Sequence, residues 1–251
     1  MDKITSRHNP LCVHIKKLGT DRVYRTGHGE ALCDGIKLLE EAVNNSAEII
    51  NVLTSAHIPF PLPAETRVFY ADRNLINSIS PLKNAQDILF TCKIPPGNIL
   101  TDISGTCILL DSIQDPGNIG TVIRTAKAFG VACVILTGGC ADPYNPKAIR
   151  ASMGAIYTQK ICFMSTDELM LLYKNGARFI GACPGTGLRS ISDVRLDNAV
   201  IVTGNEGRGI SGEILELCRD IVTIPMSAGC ESLNAAAAAA ILMWEAVRER
   251  A

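Results

Sequence analysis

From residue 107 onward, short apolar runs of strand length alternate with stretches of helical spacing, and this alternation constrains the fold more than any other feature. The runs are CILLD at 107–111, CVIL at 133–136, TQKICF at 158–163, RFIGAC at 178–183, AVIVTG at 199–204 and IVTIP at 221–225. Between them lie a helix from Pro116 to Phe129, a short one after Asn145-Pro146, others after Ser165 and Ser211, and a long final helix. Strands separated by helices pair through crossovers, so the pattern predicts an α/β fold with a largely parallel sheet. Asp115-Pro116 and Asn145-Pro146 each offer an N-cap followed by Pro at the first helical position, and Gly130 and Gly176 stand where helices stop.

The first hundred residues have their own pattern. GIKLLEEAV, opened by Asp34-Gly35, has helical spacing; IINVLTS at 49–55 reads as a strand, with a further strand at Val68 to Tyr70 and a helix at Leu75 to Ile79. These form a small α/β module. The turn-rich segment Lys93-Ile94-Pro95-Pro96-Gly97-Asn98 punctuates the chain, which places a domain boundary at about residue 100 and gives domains of 1–100 and 101–251. The 24 basic and 25 acidic residues nearly cancel, so any nucleic-acid site must be a local patch. One candidate is the N-terminal segment, where Lys3, Arg7, Lys16, Lys17, Arg22 and Arg25 are interleaved with His8, His14 and His28. A solvated helical face is the competing reading.

Ten cysteines include no CxxC pair and are read as small buried hydrophobes, with no metal expected. Cys107, Cys133, Cys162 and Cys183 fall in the strand-like runs. The N-terminus lacks the apolar stretch of a signal peptide, and the apolar run 232–247 is broken by Asn234 and Glu245 and is too short to span a bilayer. The expectation is a cytoplasmic protein without a membrane partner.

Three segments carry chemistry. The first runs from Asp111 through Asp115-Pro116-Gly117-Asn118 into a helix containing Arg124, so it lies at the C-terminal end of a strand, where ligands collect in open α/β sheets. Asn118 falls in the first helical turn and points into the crevice; Arg124 is either a snorkelling surface arginine or a ligand contact. The second, Thr203-Gly204-Asn205-Glu206-Gly207-Arg208-Gly209, follows a strand with three glycines in six residues, a bare backbone wall for a bulky ligand. It matches neither a P-loop nor a dinucleotide fingerprint. The third, Ile224-Pro225-Met226 through Ser232-Leu233-Asn234, leads into Ala235–Ala240. Ser232 or Asn234 alone reads as an N-cap. The helix that follows is apolar all round, which predicts burial on every side, against a sheet and either another layer or a second subunit.

Taken in order, DPGNIGTVIRTA, VTGNEGRGIS and IPMSAGCESLNAAAAA resemble the three signature motifs of the SpoU (TrmH) family of RNA ribose 2′-O-methyltransferases, in the SPOUT superfamily. The likeness covers about residues 105–249 and extends to DPYNPKAIRASMGA at 142–155. More weakly, ITSRHNP, KKL and GIKLLEEA are similar to the family's ribosomal-protein-like substrate-binding domain, with Asp34-Gly35 where Glu-Gly is common. The resemblance implies a deep trefoil knot in the methyltransferase domain, S-adenosylmethionine as cofactor, a homodimer whose interface completes each site, and structured RNA as substrate, ribosomal RNA ahead of transfer RNA. Position by position, it implies that Gly204 with the neighbouring backbone of Thr203 and Gly207, and Ile224, Met226 and Leu233, line the cofactor pocket. It assigns Asn118, Arg124, Glu206, Ser232 and Asn234 to the catalytic set. The family's proposed general base corresponds to Arg124, but a guanidinium with a pKa above about 12 accepts protons poorly, and a phosphate clamp is the physically easier role. Two other classes are a silent RNA-binding factor on the same scaffold, which requires damage to the motif trio, and a nucleotide-using enzyme, which requires a phosphate loop; neither is present.

Overall fold

A computed structural model describes residues 2–83, 85–97, 100–227 and 229–248. Asn98, at the expected domain boundary, and Ala228, in the third motif, lie outside the described residues. The chain forms two compact units, one of residues 1–96 with 142–158, the other of 97–141 with 159–251. The second stretch of the first unit departs from the uninterrupted division at residue 100 that the sequence gives.

In the first unit, β1 (Asp2–Ile4), α1 (Pro10–Thr20), α2 (Arg22–His28), β2 (Glu30–Asp34), α3 (Ile36–Asn44), β3 (Ile49–Thr54), β4 (Arg67–Ala71), α4 (Arg73–Ile79) and β5 (Ile88–Lys93) follow in order. The sheet order is β1-β4-β3-β5-β2, with parallel pairs β1/β4 and β3/β4 and antiparallel pairs β3/β5 and β2/β5. Ile15 and Leu18 of α1 and Ile76 of α4 bury against Leu32, Leu53 and Leu89 of the strands. Asp34 is buried, where burial pushes its carboxyl up, and it accepts from the Gln86 backbone N–H at 2.9 Å and Ser80 Oγ at 3.3 Å. A Cβ on Gly35, whose φ is +115°, would collide with the Gln86 side chain.

The chain continues through β6 (Cys107–Leu110), α5 (Pro116–Ala128) and β7 (Cys133–Leu136) into α6 (Pro146–Ser152), which packs on β2 of the first unit. The tie there is Arg25, which is 2% exposed, donates to Leu18 O at 2.6 Å and pairs with Asp142 at 2.8 Å. Arg25 therefore leaves the set of candidate RNA-binding cations, because its fork is spent inside the unit.

The second unit resumes with β8 (Ile161–Phe163), α7 (Thr166–Lys174), β9 (Phe179–Ala182), β10 (Arg189–Ser190), β11 (Val200–Thr203), α8 (Gly212–Leu215), β12 (Cys218–Thr223) and α9 (Ala235–Val247). Its seven strands run in the order β10-β12-β9-β11-β6-β7-β8, every pair parallel. The caps behave as their residues dictate: Asp115 accepts from Gly117 N–H, Asn145 from Lys147 N–H, and Gly130 and Gly176 take positive φ after α5 and α7. Cys107, Cys133 and Cys162 are buried in β6, β7 and β8.

Within one chain the last helix is covered on only part of its surface. Ala235, Ala236, Ala239, Leu242, Met243 and Ala246 are buried, while Ile241 is 38% and Trp244 50% exposed, with Ala237 on the same outward stripe. α9 packs on α5 and β11, and Phe129 lies with its ring centroid 5.6 Å from that of Trp244. Apolar composition all round does not reveal which face one chain leaves uncovered.

Candidate functional site

β6 pairs with β7 on one side and β11 on the other, so the strand order reverses there. Loops leaving the C-terminal ends of parallel strands at such a point diverge and open a crevice. The segment after β6 carries Asn118, and the segment after β11 carries Gly204 to Ser211.

Asn205 folds the second of these loops. Its backbone N–H donates to Gly209 O at 3.0 Å and its carbonyl accepts from Gly209 N–H at 2.9 Å. Its side-chain oxygen accepts from Gly207 N–H and Arg208 N–H, and its amide donates to Ser112 O at 2.9 Å. The loop turns back so tightly that a Cβ on Gly204 would collide with the backbone of Gly209 and Ile210, and Gly209 itself sits at φ +71°. Gly204 is thus required by the loop's own backbone, whereas the sequence reading gave it to the ligand. Asp111, buried at the end of β6, accepts from Ser211 N–H at 2.7 Å, Ser112 Oγ and Thr137 Oγ1, which fixes the far end of the same loop.

A cavity of about 340 Å³ lies beside the loop. Thr203, Gly204, Gly207, Ile224, Met226 and Leu233 line it, together with Glu206 and Ser232. Arg208 of the second segment does so as well, as do Ala182, Cys183, Pro184 and Thr223, which sequence reasoning missed. Asn118, Arg124 and Asn234 are not in the lining. Hydrogen bonds nevertheless bring two of these to it: Asn118 Nδ2 donates to Glu206 Oε1 at 2.7 Å, and Asn234 Nδ2 donates to Asn118 Oδ1 at 3.1 Å. Asn234 also caps α9, accepting from Ala236 and Ala237 N–H, so its cap and site positions are compatible. Arg124 is exposed on α5 and makes no hydrogen bond or ion pair among the described residues.

The walls suit a nucleoside-like ligand. A volume near the lower end of ligand sites, roughly 300–1,000 Å³, combines with apolar sides and few polar groups. Thr203 Oγ1 is the one buried side-chain polar atom among the described residues without a partner, and it belongs to this lining. Burying an unpaired hydroxyl is costly, so a ligand that supplies a hydrogen bond there is favoured. Burial pushes the Cys183 thiol up, which leaves it neutral wall. Among the described residues no group of three or more His, Cys, Asp or Glu could hold a metal ion, and no helix is long and apolar enough to cross a membrane.

Residues 105–244 match the SpoU rRNA methylase family, and the chain belongs to it. It is 29% identical over 250 residues to a 23S rRNA (guanosine(2553)-2'-O)-methyltransferase, RlmP, of Bacillus subtilis (strain 168), covering 97% of this chain and 98% of that one. In structure it is similar to a putative RNA methyltransferase of the TrmH family from Porphyromonas gingivalis, with TM-score 0.85, 29% identity and coverage of 97% and 100%. An AdoMet-bound rRNA methyltransferase from Sinorhizobium meliloti gives TM-score 0.85 at 25% identity, covering 99% and 98%.

Proposed function

We propose that the protein transfers a methyl group from S-adenosylmethionine to a ribose 2′-hydroxyl of ribosomal RNA. The observation that carries this reading is the junction of three loops, in which Asn118, Glu206 and Asn234 form one hydrogen-bonded chain beside the cavity. The named activity of the Bacillus subtilis relative and the AdoMet-bound neighbour support the substrate class and the cofactor.

Thr203, Gly204, Gly207, Ile224, Met226 and Leu233 hold the cofactor in this reading. S-adenosylmethionine supplies an electrophilic methyl on a sulfonium whose departing thioether needs no acid. The protein has to orient the 2′-oxygen and support its loss of a proton; orientation alone is worth on the order of 7–11 kcal/mol in good cases. Glu206, braced by Asn118, together with Asn234 and Ser232, positions the ribose. Arg124 clamps a flanking phosphate with its planar fork and stabilises the developing alkoxide. Lys16, Lys17 and Arg22, all exposed, contribute to RNA capture by the first unit.

The reading includes a homodimer, a trefoil knot and a cytoplasmic location. The uncovered stripe of Ala237, Ile241 and Trp244 supports the dimer, since contiguous exposed apolar surface marks an interaction site. Arg124 lies outside the lining of its own chain's cavity, which fits a site completed across that interface. The position of the last strand, β12, inside the sheet between β9 and β10 supports a threaded C-terminal end.

The test is calorimetric titration with S-adenosylmethionine, followed by transfer of labelled methyl to ribosomal RNA and ribose-methylation mapping. Saturable cofactor binding and one labelled 2′-oxygen are expected. A folded protein that binds no cofactor refutes the reading, and label on a base in place of a ribose refutes the proposed acceptor.

A further inference from the structure

The cation-rich N-terminal segment holds a side-chain cluster with no part in the methyl-transfer site. Tyr24 and His28, four residues apart on α2, stack with ring centroids 3.9 Å apart and planes at 29°. His28 Nδ1 lies 2.9 Å from Tyr24 O and must carry the proton, since a carbonyl only accepts. A second chain of bonds holds Tyr24 from the other side. His14 Nε2 meets Glu30 Oε2 at 3.0 Å and therefore donates, and its Nδ1 is hydrogen-bonded to the Tyr24 hydroxyl at 3.0 Å. α1, α2 and β2 thus fix the tyrosine ring jointly. His14 and Glu30 are mostly covered, at 19% and 18% side-chain exposure, whereas His28 is exposed. Lys17 Nζ lies 5.2 Å from the Tyr24 centroid, and Lys16 and Arg22 are exposed on the same two helices.

We infer that the Tyr24–His28 stack is a platform on which an unpaired base of the RNA substrate lies, with Lys16, Lys17 and Arg22 holding the adjoining phosphates. The choice of RNA rests on the function proposed above; the platform rests on this geometry. A rigid aromatic pair whose outer member faces solvent among cations is the arrangement that binds single-stranded nucleic acid, because every base offers a π-face and the backbone is anionic. Pre-fixing the rings lowers the entropy lost on binding.

The experiment uses the full chain, a short oligoadenylate carrying 2-aminopurine, and a duplex RNA of the same length. His28→Ala should weaken oligoadenylate binding about fivefold or more and remove the quenching of 2-aminopurine, with duplex affinity and salt slope unchanged. His28→Phe should restore both. The inference is overturned if the wild type does not bind the oligoadenylate, if His28→Ala binds it as wild type does or loses oligoadenylate and duplex alike, or if His28→Phe fails to restore binding. Titration with S-adenosylmethionine in each protein separates this from the methyltransferase reading, which a wild type that takes up no cofactor would refute by itself.

Discussion

The side-chain amide of Asn118 donates to the Glu206 carboxylate at 2.7 Å, across 88 residues of sequence. A carboxylate that accepts a side-chain N–H is held in one orientation, and the partner that holds it is itself fixed by Asn234. Asn118→Asp would set two carboxylates against each other. A hydrogen bond to a charged group contributes about 1.5–3 kcal/mol, and solvent around both groups reduces this. The expected loss in kcat is about tenfold, with cofactor affinity nearly unchanged, measured by single-turnover methyl transfer and calorimetry.

Cofactor binding should stabilise the fold by mass action. A hundredfold excess over Kd contributes about 2.7 kcal/mol, which for a chain of this size is roughly 5 to 10 °C in Tm. Gly204→Ala should abolish that shift and lower the basal Tm, because its Cβ meets the Gly209 and Ile210 backbone. Gly207→Ala should keep the basal Tm, since its Cβ would approach only Asn205 Oδ1, at 3.7 Å. Differential scanning of the three proteins, with and without cofactor, decides the matter; equal behaviour of the two glycine variants counts against this account of the loop.

Arg124→Ala should leave the cofactor affinity intact and remove most turnover. Arg124→Lys should recover little, since an ammonium cannot reproduce a bidentate fork. Steady-state kinetics read this as a fall in kcat, and a variant that changes KM alone would assign Arg124 to RNA capture instead.

Light scattering should report twice the 26.9 kDa chain mass. Trp244→Glu and Ile241→Glu place charge on the uncovered stripe and should yield folded monomer with little activity. Charge at Ala239 is a poorer probe, because that residue is fully buried within its own chain. A dimer that survives both stripe substitutions removes α9 from the interface.

Arg25 should matter for stability and not for RNA. Removing one partner of a buried ion pair costs about 3–5 kcal/mol, so Arg25→Met should lower the denaturant midpoint sharply. The salt slope of RNA binding should stay as in wild type, while Lys16→Gln with Lys17→Gln flattens it.

What was legible in the sequence tracks how local its physical cause is. β6 to β9 and α5 to α7 were readable because each has an apolar run or a cap of its own, such as Asp115-Pro116. β1 was not: three residues show no period, and that strand exists through its pairing of Asp2 with Phe69. The order of the three motifs brought the loops around the cavity into view, but the work of Asn205 within its loop did not emerge, although an Asn two residues before a Gly is a turn signal. The partnerless Thr203 hydroxyl and the walls from Ala182 to Pro184 come from strands that meet only in the folded sheet.

The membership of residues 142–158 in the first unit has a consequence for synthesis. Chains emerge from the N-terminus and domains tend to fold as units as they appear. Here the N-terminal unit lacks α6 and the Asp142 partner of Arg25 until residue 158 is out, by which time β6, α5 and β7 of the other unit have already emerged. The two units therefore mature in overlapping time, and a ribosome-stalled fragment ending at residue 100 should be far more protease-sensitive than one ending beyond residue 158.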